Sequence, residues 1–238
     1  MTLSFDQARA IIGPKCAEIH EFKEFGSAAG IIVNRAEDYD LTVIGAKGRG
    51  TAGEVGLGPV ASRVAEHALG PVLIARAMKS EPGNFRVLAA VDGSTASLHA
   101  IETLGELFDL TSAEVCLMHV VETPWVELAP EEEWVTYSEE DKENSESGTW
   151  EQELVREGET ILEQARDALR PHRVSTVTRS EQGNPANEIL SEAERGQYDL
   201  IVLGATGVRD LKHQMLGSVS SKIAWNAPCS VLIVREPE

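Results

Sequence analysis

The chain repeats itself, and the repeat is what most limits its fold. Tyr39-Asp40-Leu41-Thr42-Val43-Ile44-Gly45-Ala46-Lys47-Gly48 falls on Tyr198-Asp199-Leu200-Ile201-Val202-Leu203-Gly204-Ala205-Thr206-Gly207 at an offset of 159. Over the 38 positions 39–76, 17 residues are identical to their counterparts in 198–235. Further upstream the offset is 157, placing Gln7-Ala8-Arg9 on Gln164-Ala165-Arg166, Pro14 on Pro171 and Gly26 on Gly183. Identity at that density is an internal duplication, so one structural plan must serve two stretches of chain.

The plan is clearest in the second copy, where short apolar runs alternate with helical patterns. Residues 85–91 (FRVLAAV) and 114–121 (EVCLMHVV) suit strands buried on both faces. Between them, Ser94 or Thr95 caps a helix with Leu98, Ile101, Leu104 and Leu107 at helical spacing. A long helix is predicted over 150–170, with Leu154, Ile161, Leu162, Ala165 and Leu169 inward. Val174, Thr176 and Thr178 then alternate as an edge strand. Asn184-Pro185 supplies an N-cap with proline in the first turn, ahead of Ile189, Leu190 and Ala193. Residues 200–203 and 230–234 complete the strands, around a helix near 218–226. Five strands alternating with four helices predict an α/β fold: a Rossmann-like parallel sheet, order 3-2-1-4-5, with helices on both faces.

The first copy begins only at the end of its long helix and has no counterpart of residues 85–121. It is expected to keep strands three, four and five and to lack the central two. Strand four, near 41–44, would then face outward with unpaired backbone groups at an apolar edge. Another chain, the second copy, or sequence upstream of the present start would complete it. The last is favoured, because the gap falls at no element boundary. The expected division is a partial, degenerate domain over 1–78 and a complete one over 85–238, the latter carrying an acidic insert over 122–149.

That insert dominates the charge. The chain holds 21 basic and 39 acidic residues, net −18. Residues 122–157 alone carry thirteen acidic groups against Lys142 and Arg156. Such a field repels nucleic acid and anionic membranes. No run of eighteen apolar residues occurs, so membrane insertion is not expected. The start lacks a basic, then apolar, leader, and three scattered cysteines suggest no disulfide framework, which together point to the cytoplasm. A solvated insert is the favoured reading of 122–149; its Trp125, Trp134 and Tyr137 would alternatively anchor a lid or a partner.

In an open parallel sheet, ligands bind beyond the carboxyl ends of the strands where the chain order reverses, here between strands one and four. Strand four runs into Gly204-Ala205-Thr206-Gly207 and, nine residues later, Gly217-Ser218-Val219-Ser220 opens a helix. Glycines permit close backbone approach, and a helix N-terminus offers free N–H groups for phosphate. Ser218 and Ser220 add hydroxyl donors, and Arg209, Lys212 and His213 lie in the intervening loop. Strand one ends in Val91-Asp92-Gly93-Ser94. There Asp92 either accepts hydrogen bonds from an adenine or a ribose, or caps the next helix.

With these residues in view, the second copy resembles the nucleotide-binding branch of the universal stress protein family. Gly204, Gly207, Gly217 and Ser218 meet that family's G-x-x-G-x(9)-G-(S/T) pattern, and Asp92 meets its strand-one aspartate. The resemblance implies ATP with adenine near Val91, Asp92 and Val121. It puts phosphates on Gly207, Gly217, Ser218 and Ser220, and Leu203, Gly204, Thr206 and Val219 against the nucleotide. Mg2+ would be bound through the ATP phosphates. It further implies a homodimer, or pairing of the two copies, through the last strand, and a regulatory or signalling role in stress response with an unidentified protein partner.

The first copy keeps the glycine spacing at Gly45, Gly48 and Gly58, but Pro59 and Ala61 replace Ser218 and Ser220. Proline has no N–H to offer, so the first copy is expected to bind no nucleotide by itself. No G-x-x-x-x-G-K-[ST] or G-x-S-x-G motif occurs, so at most slow ATP hydrolysis, or autophosphorylation of Ser218 or Ser220, is expected. His119 reads as a strand residue and Cys116 and Cys229 as core. Two alternatives stay open: a dimerisation module that binds no nucleotide, and an adenylate-forming enzyme of related fold. The second is weakened because Val91-Asp92-Gly93-Ser94 is not a glycine-rich phosphate loop.

Overall fold

The computed structural model describes residues 18–48, 56–77, 85–122, 147–208 and 216–236, and within the first turns of the long helix only the backbone of 147–152. The elements run α1 (Ala28–Ala36), β1 (Thr42–Gly45), α2 (Pro59–His67), β2 (Val72–Ala75), β3 (Phe85–Ala90), α3 (Thr95–Leu107), β4 (Ala113–Val121), α4 (Ser147–Leu169), β5 (Ser175–Gln182), α5 (Pro185–Arg195), β6 (Leu200–Gly204), α6 (Ser218–Asn226) and β7 (Ser230–Val234).

All the described strands belong to one sheet of seven, ordered β1-β2-β7-β6-β3-β4-β5. The five from the second copy stand in the order the sequence predicts, each parallel to its neighbour. The central strand β6 is buried throughout, as its unbroken apolar run requires. At the far edge, β5 is mostly exposed, with Thr176 and Glu181 half-buried; the alternation expected through Thr178 is not seen. Local signals fix the helix starts. Ser94 Oγ accepts from Ser97 N–H at 3.1 Å to cap α3. Asn184 Oδ1 accepts from Asn187 N–H at 3.2 Å to cap α5, with Pro185 in the first turn.

Two further expectations are corrected. The sheet has seven strands rather than five, because β2 joins it antiparallel to β7. Among the described residues, the first copy also keeps two strands, not three. Its counterpart of β5 lies over 18–25, where no strand forms. The reason is pairing: β5 hydrogen-bonds along β4 from Glu114–Ser175 to Val121–Gln182, and the first copy has no β4 to offer. As expected, β1 lies at the sheet edge.

The junction of the two copies is nearly two-fold symmetric. Leu73 faces its own counterpart Leu232, while Val72 faces Ile233 and Ile74 faces Val231. The core on one face of the sheet is continuous across this seam, uniting Val64, Ala65 and Ile74 with Ile223, Ala224 and Ile233. Burying each of the four larger side chains, Val64, Ile74, Ile223 and Ile233, contributes about 1.5–3 kcal/mol. Arginines exchange across the same seam. Arg76 Nη2 donates to Ala224 O at 2.6 Å and Nη1 to Cys229 O at 3.2 Å. Its counterpart Arg235 donates to Ala68 O at 2.7 Å, Ala65 O at 3.1 Å and Glu66 O at 2.6 Å. Burial lowers the pKa of both guanidiniums, which remain charged.

Cys116 and Cys229 are buried and unbridged. Beside Cys116, the buried Glu192 accepts from Tyr198 Oη at 3.0 Å and Arg195 Nε at 3.0 Å, and pairs with Arg179 at 3.2 Å. This cluster ties α5 to β5. Burial pushes the Cys116 thiol and the Tyr198 phenol up, the latter aided by Cys116 and Glu192.

Candidate nucleotide site

Because β3 and β6 are parallel neighbours, the chain leaves both at the same end of the sheet. β3 opens into Val91, Asp92 and Gly93, and Gly93 takes a left-handed φ of +81°. That turn sends the chain directly into α3. β6 opens into Gly204, Ala205, Thr206 and Gly207, and the chain returns at Gly217 to start α6.

A cavity of about 400 Å³ lies between these two corners, and every candidate lines it: Val91, Asp92, Val121, Leu203, Gly204, Thr206, Gly207, Gly217, Ser218, Val219 and Ser220. Its size falls in the usual range for small-ligand pockets, roughly 300–1,000 Å³. Arg209, Lys212 and His213 lie outside the described residues, as do residues 123–146 of the insert.

The two chemical ends of the cavity differ. At one, α6 begins at Gly217 with no side-chain cap, and its first helical hydrogen bond is Ser221 N–H to Gly217 O at 2.8 Å. The N–H groups of Ser218, Val219 and Ser220 therefore lack helical acceptors and carry the positive end of the helix dipole. That arrangement suits an anion. Towards the sheet, Val91, Met118, Val121, Leu203 and Ile189 supply apolar walls, suited to a flat ring.

Asp92 spans the gap. Its Oδ1 accepts from Ser94 N–H at 3.0 Å and Ser94 Oγ at 2.6 Å, and its Oδ2 from Val208 N–H at 3.2 Å. The carboxylate thus supports the cap of α3 and also latches the glycine turn after β6. Gly207 is what lets it approach, since a Cβ there would stand 2.6 Å from Oδ2. Ser220 is placed differently from expectation. Its hydroxyl donates to Gly204 O at 2.8 Å within the buried first turn of α6, so that donor is committed to the protein. Gly204 itself makes room for α3: a Cβ there would lie 2.8 Å from the Ser97 nitrogen.

Several lining residues are not assigned to the site by the sequence: Ser97, His119, Leu154, Glu157 and Ile161 among them. His119 Nδ1 stands 2.9 Å from Val91 O. A carbonyl only accepts, so Nδ1 carries the proton. The alternation of β4 puts His119 on the same face as Leu117 and Val121, and Leu154, Glu157 and Ile161 share one face of α4. That periodicity was visible in the sequence. That α4 would lie across the end of β4 was not.

In the first copy the same backbone is built without the same groups. α2 starts at Gly58 with Pro59, and Ala61 is buried where Ser220 stands in α6. Among the described residues, no group of three His, Cys, Asp or Glu side chains is placed to hold a metal ion, and no described helix is long and apolar enough to cross a membrane.

Known proteins are similar to this chain. The family model of the universal stress protein family matches residues 3–76 and 83–235, both copies in turn. The chain is 34% identical over 154 residues to universal stress protein MJ0531 of Methanocaldococcus jannaschii, covering 64% of this chain and 83% of that one. It is 34% identical over 150 residues to universal stress protein YxiE of Bacillus subtilis, covering 63% of this chain and 98% of that one. The crystal structure of a universal stress protein from Archaeoglobus fulgidus superposes with a TM-score of 0.55 at 19% identity, over 98% of this chain and 78% of that one, and so shares the fold. A duplicated α/β chain matched along both of its copies is a member of the universal stress protein family.

Proposed function

We propose that this protein binds ATP in the second copy and acts as a regulatory module whose nucleotide occupancy alters the turn after β6. The observation that carries the reading is the open cavity between Asp92 and the uncapped start of α6. Phosphates would take the N–H groups of Ser218, Val219 and Ser220, together with Ser218 Oγ. Mg2+ would travel on the phosphates. The base would lie against Val91, Val121 and Leu203, near the Asp92 end.

In this scheme Asp92 works as a latch. Without ligand, its Oδ2 holds Val208 N–H. A ribose hydroxyl or a base amine that donates to Oδ2 competes with Val208 and frees the turn to move. Binding and the position of the 204–217 segment are thereby linked, a population shift rather than a new fold. We take 1–78 and 85–238 as the two domains, with the nucleotide in the second alone and the β2–β7 seam in place of a last-strand homodimer.

One observation favours the reading as a dimerisation or interaction module instead: both Asp92 oxygens and the Ser220 hydroxyl already have partners within the protein. Calorimetric titration of ATP into the full chain separates the two. The expected result is one site per chain, weakened roughly tenfold or more in Asp92→Ala and lost in Gly217→Val, since each lost charge-assisted contact is worth about 1.5–3 kcal/mol. No heat with the wild-type chain, and a melting temperature indifferent to ATP, would reject nucleotide binding.

A further inference from the structure

The proposed site is built on α6, and α6 is held at its far end by the first copy. Helix carbonyls normally accept from the N–H four residues on. For Ala224 that residue is Pro228, which has no N–H. The carbonyl belongs to a residue only 1% exposed, so its lost partner has to be replaced from within the protein. Arg76 replaces it: Nη2 lies 2.6 Å from Ala224 O, and Nη1 lies 3.2 Å from Cys229 O just beyond the helix. The Arg76 backbone is pinned as well, its N–H donating to Ser230 Oγ at 3.0 Å. The first copy also abuts the helix at Gly56, where a Cβ would stand 2.3 Å from the Trp225 ring.

The reciprocal contact serves a different helix. Arg235 reaches Ala65 O, Glu66 O and Ala68 O at the end of α2. Ala68 has already turned out of the helix at ψ 134°, as Ala227 has in α6 at ψ 136°, so Arg235 serves Ala65 O as Arg76 serves Ala224 O. What differs is the other end of each helix: α6 starts at the cavity, and α2 does not line it. α6 has nine residues, about 13 Å from end to end, so a shift at one end of so short a rod is a shift at the other.

We propose that Arg76 is a positioning residue for the nucleotide site, and that the first copy, lacking a site of its own, serves the second by anchoring the C-terminal end of α6. This rests on the ATP-binding reading. Arg76 touches no ligand; it acts through the placement of the Ser218, Val219 and Ser220 N–H groups. A guanidinium at the negative end of the helix dipole also favours its alignment.

The test compares the two arginines in the full chain. Arg76→Ala is expected to weaken ATP binding about five- to tenfold by calorimetry, and Arg76→Lys to recover part of that loss. Arg235→Ala removes more hydrogen bonds from the same seam and should leave ATP affinity within about twofold. Hydrogen exchange without ligand gives a second readout: Arg76→Ala should speed exchange at Ser221, Lys222 and Ile223, and Arg235→Ala should not. Unchanged affinity in both Arg76 variants, or equal losses from Arg76→Ala and Arg235→Ala, would overturn the proposal. If the wild-type chain binds no ATP, the functional reading fails, and exchange in α6 alone decides whether Arg76 anchors the helix. Should Arg76→Ala fail to fold, Arg76→Lys against Arg235→Ala is read in the same way.

Discussion

The turn from β1 to α2 and the turn from β6 to α6 are built from the same backbone hydrogen bonds. Gly58 N–H reaches Ala46 O at 2.8 Å, and Gly217 N–H reaches Ala205 O at 2.8 Å. Ser62 N–H closes on Gly58 O at 3.0 Å as Ser221 N–H closes on Gly217 O at 2.8 Å. What differs is what each turn presents. The second offers three N–H groups, a hydroxyl at Ser218, and a carboxylate from the adjacent strand. The first has Pro59 and Ala61, and no described strand on the outer side of β1 to carry an aspartate. Glycine spacing therefore preserves a shape, and ligand chemistry depends on separate residues that can be lost while the shape remains.

That comparison can be pressed hardest at the seam. Leu232 is fully buried, while Leu73 opposite it is half-buried. Leu232→Ala should cost about 2–5 kcal/mol in chemical denaturation, and Leu73→Ala clearly less. Equal costs would mean that the two copies contribute alike to one core. A smaller effect is expected from making the second turn resemble the first. Ser218→Pro removes one N–H and one hydroxyl at a position where Pro59 shows that proline fits. Stability should hardly change, while ATP affinity falls about tenfold, or about 1.4 kcal/mol. The reverse change, Pro59→Ser with Ala61→Ser, should leave the stoichiometry at one ATP per chain; a second site would show that the first copy lacked only those groups.

The smallest effect concerns a cluster with no full counterpart in the first copy. The Tyr198 phenol is held above its usual value near 10, first by burial and then by Cys116 and Glu192. The folded chain keeps that proton while the unfolded chain releases it. Tyr198 therefore contributes full stability below about pH 10 and loses it as the pH rises toward the folded value. Denaturation midpoints measured across that range should fall less steeply in Tyr198→Phe than in wild type. Identical slopes would remove Tyr198 from the account.

Much of this was legible before any coordinates. Apolar runs located the second copy's strands, because strands buried on both faces leave a clear pattern, and the commonest order for such sheets matched theirs. Asn184-Pro185 marked the start of α5, because capping is local chemistry. Glycine spacing and chain reversal pointed to Asp92, Gly204, Gly207, Gly217, Ser218 and Ser220, while Val121 and Val219 followed from the family resemblance. Long-range pairing was harder. Nothing within residues 18–25 says that they form no strand; the reason is the absence of a β4 neighbour. The roles of His119, Glu157 and Ile161 depend on how α4 crosses the sheet, and the double engagement of Asp92 depends on the approach of Val208. Each is set by a partner distant in sequence.

The antiparallel β2–β7 pairing has one last consequence. Two separate subunits joined along such strands would come apart on dilution, because their association obeys mass action. Here Ala75 and Phe85 lie only a few residues apart in one chain, and so short a covalent connection holds the two halves at an effective concentration on the order of millimolar. The halves stay joined however little protein the cell makes. Mutations that cost one half its ligand chemistry then cost it nothing in companionship, which is how a sequence as altered as Pro59 and Ala61 can remain in place.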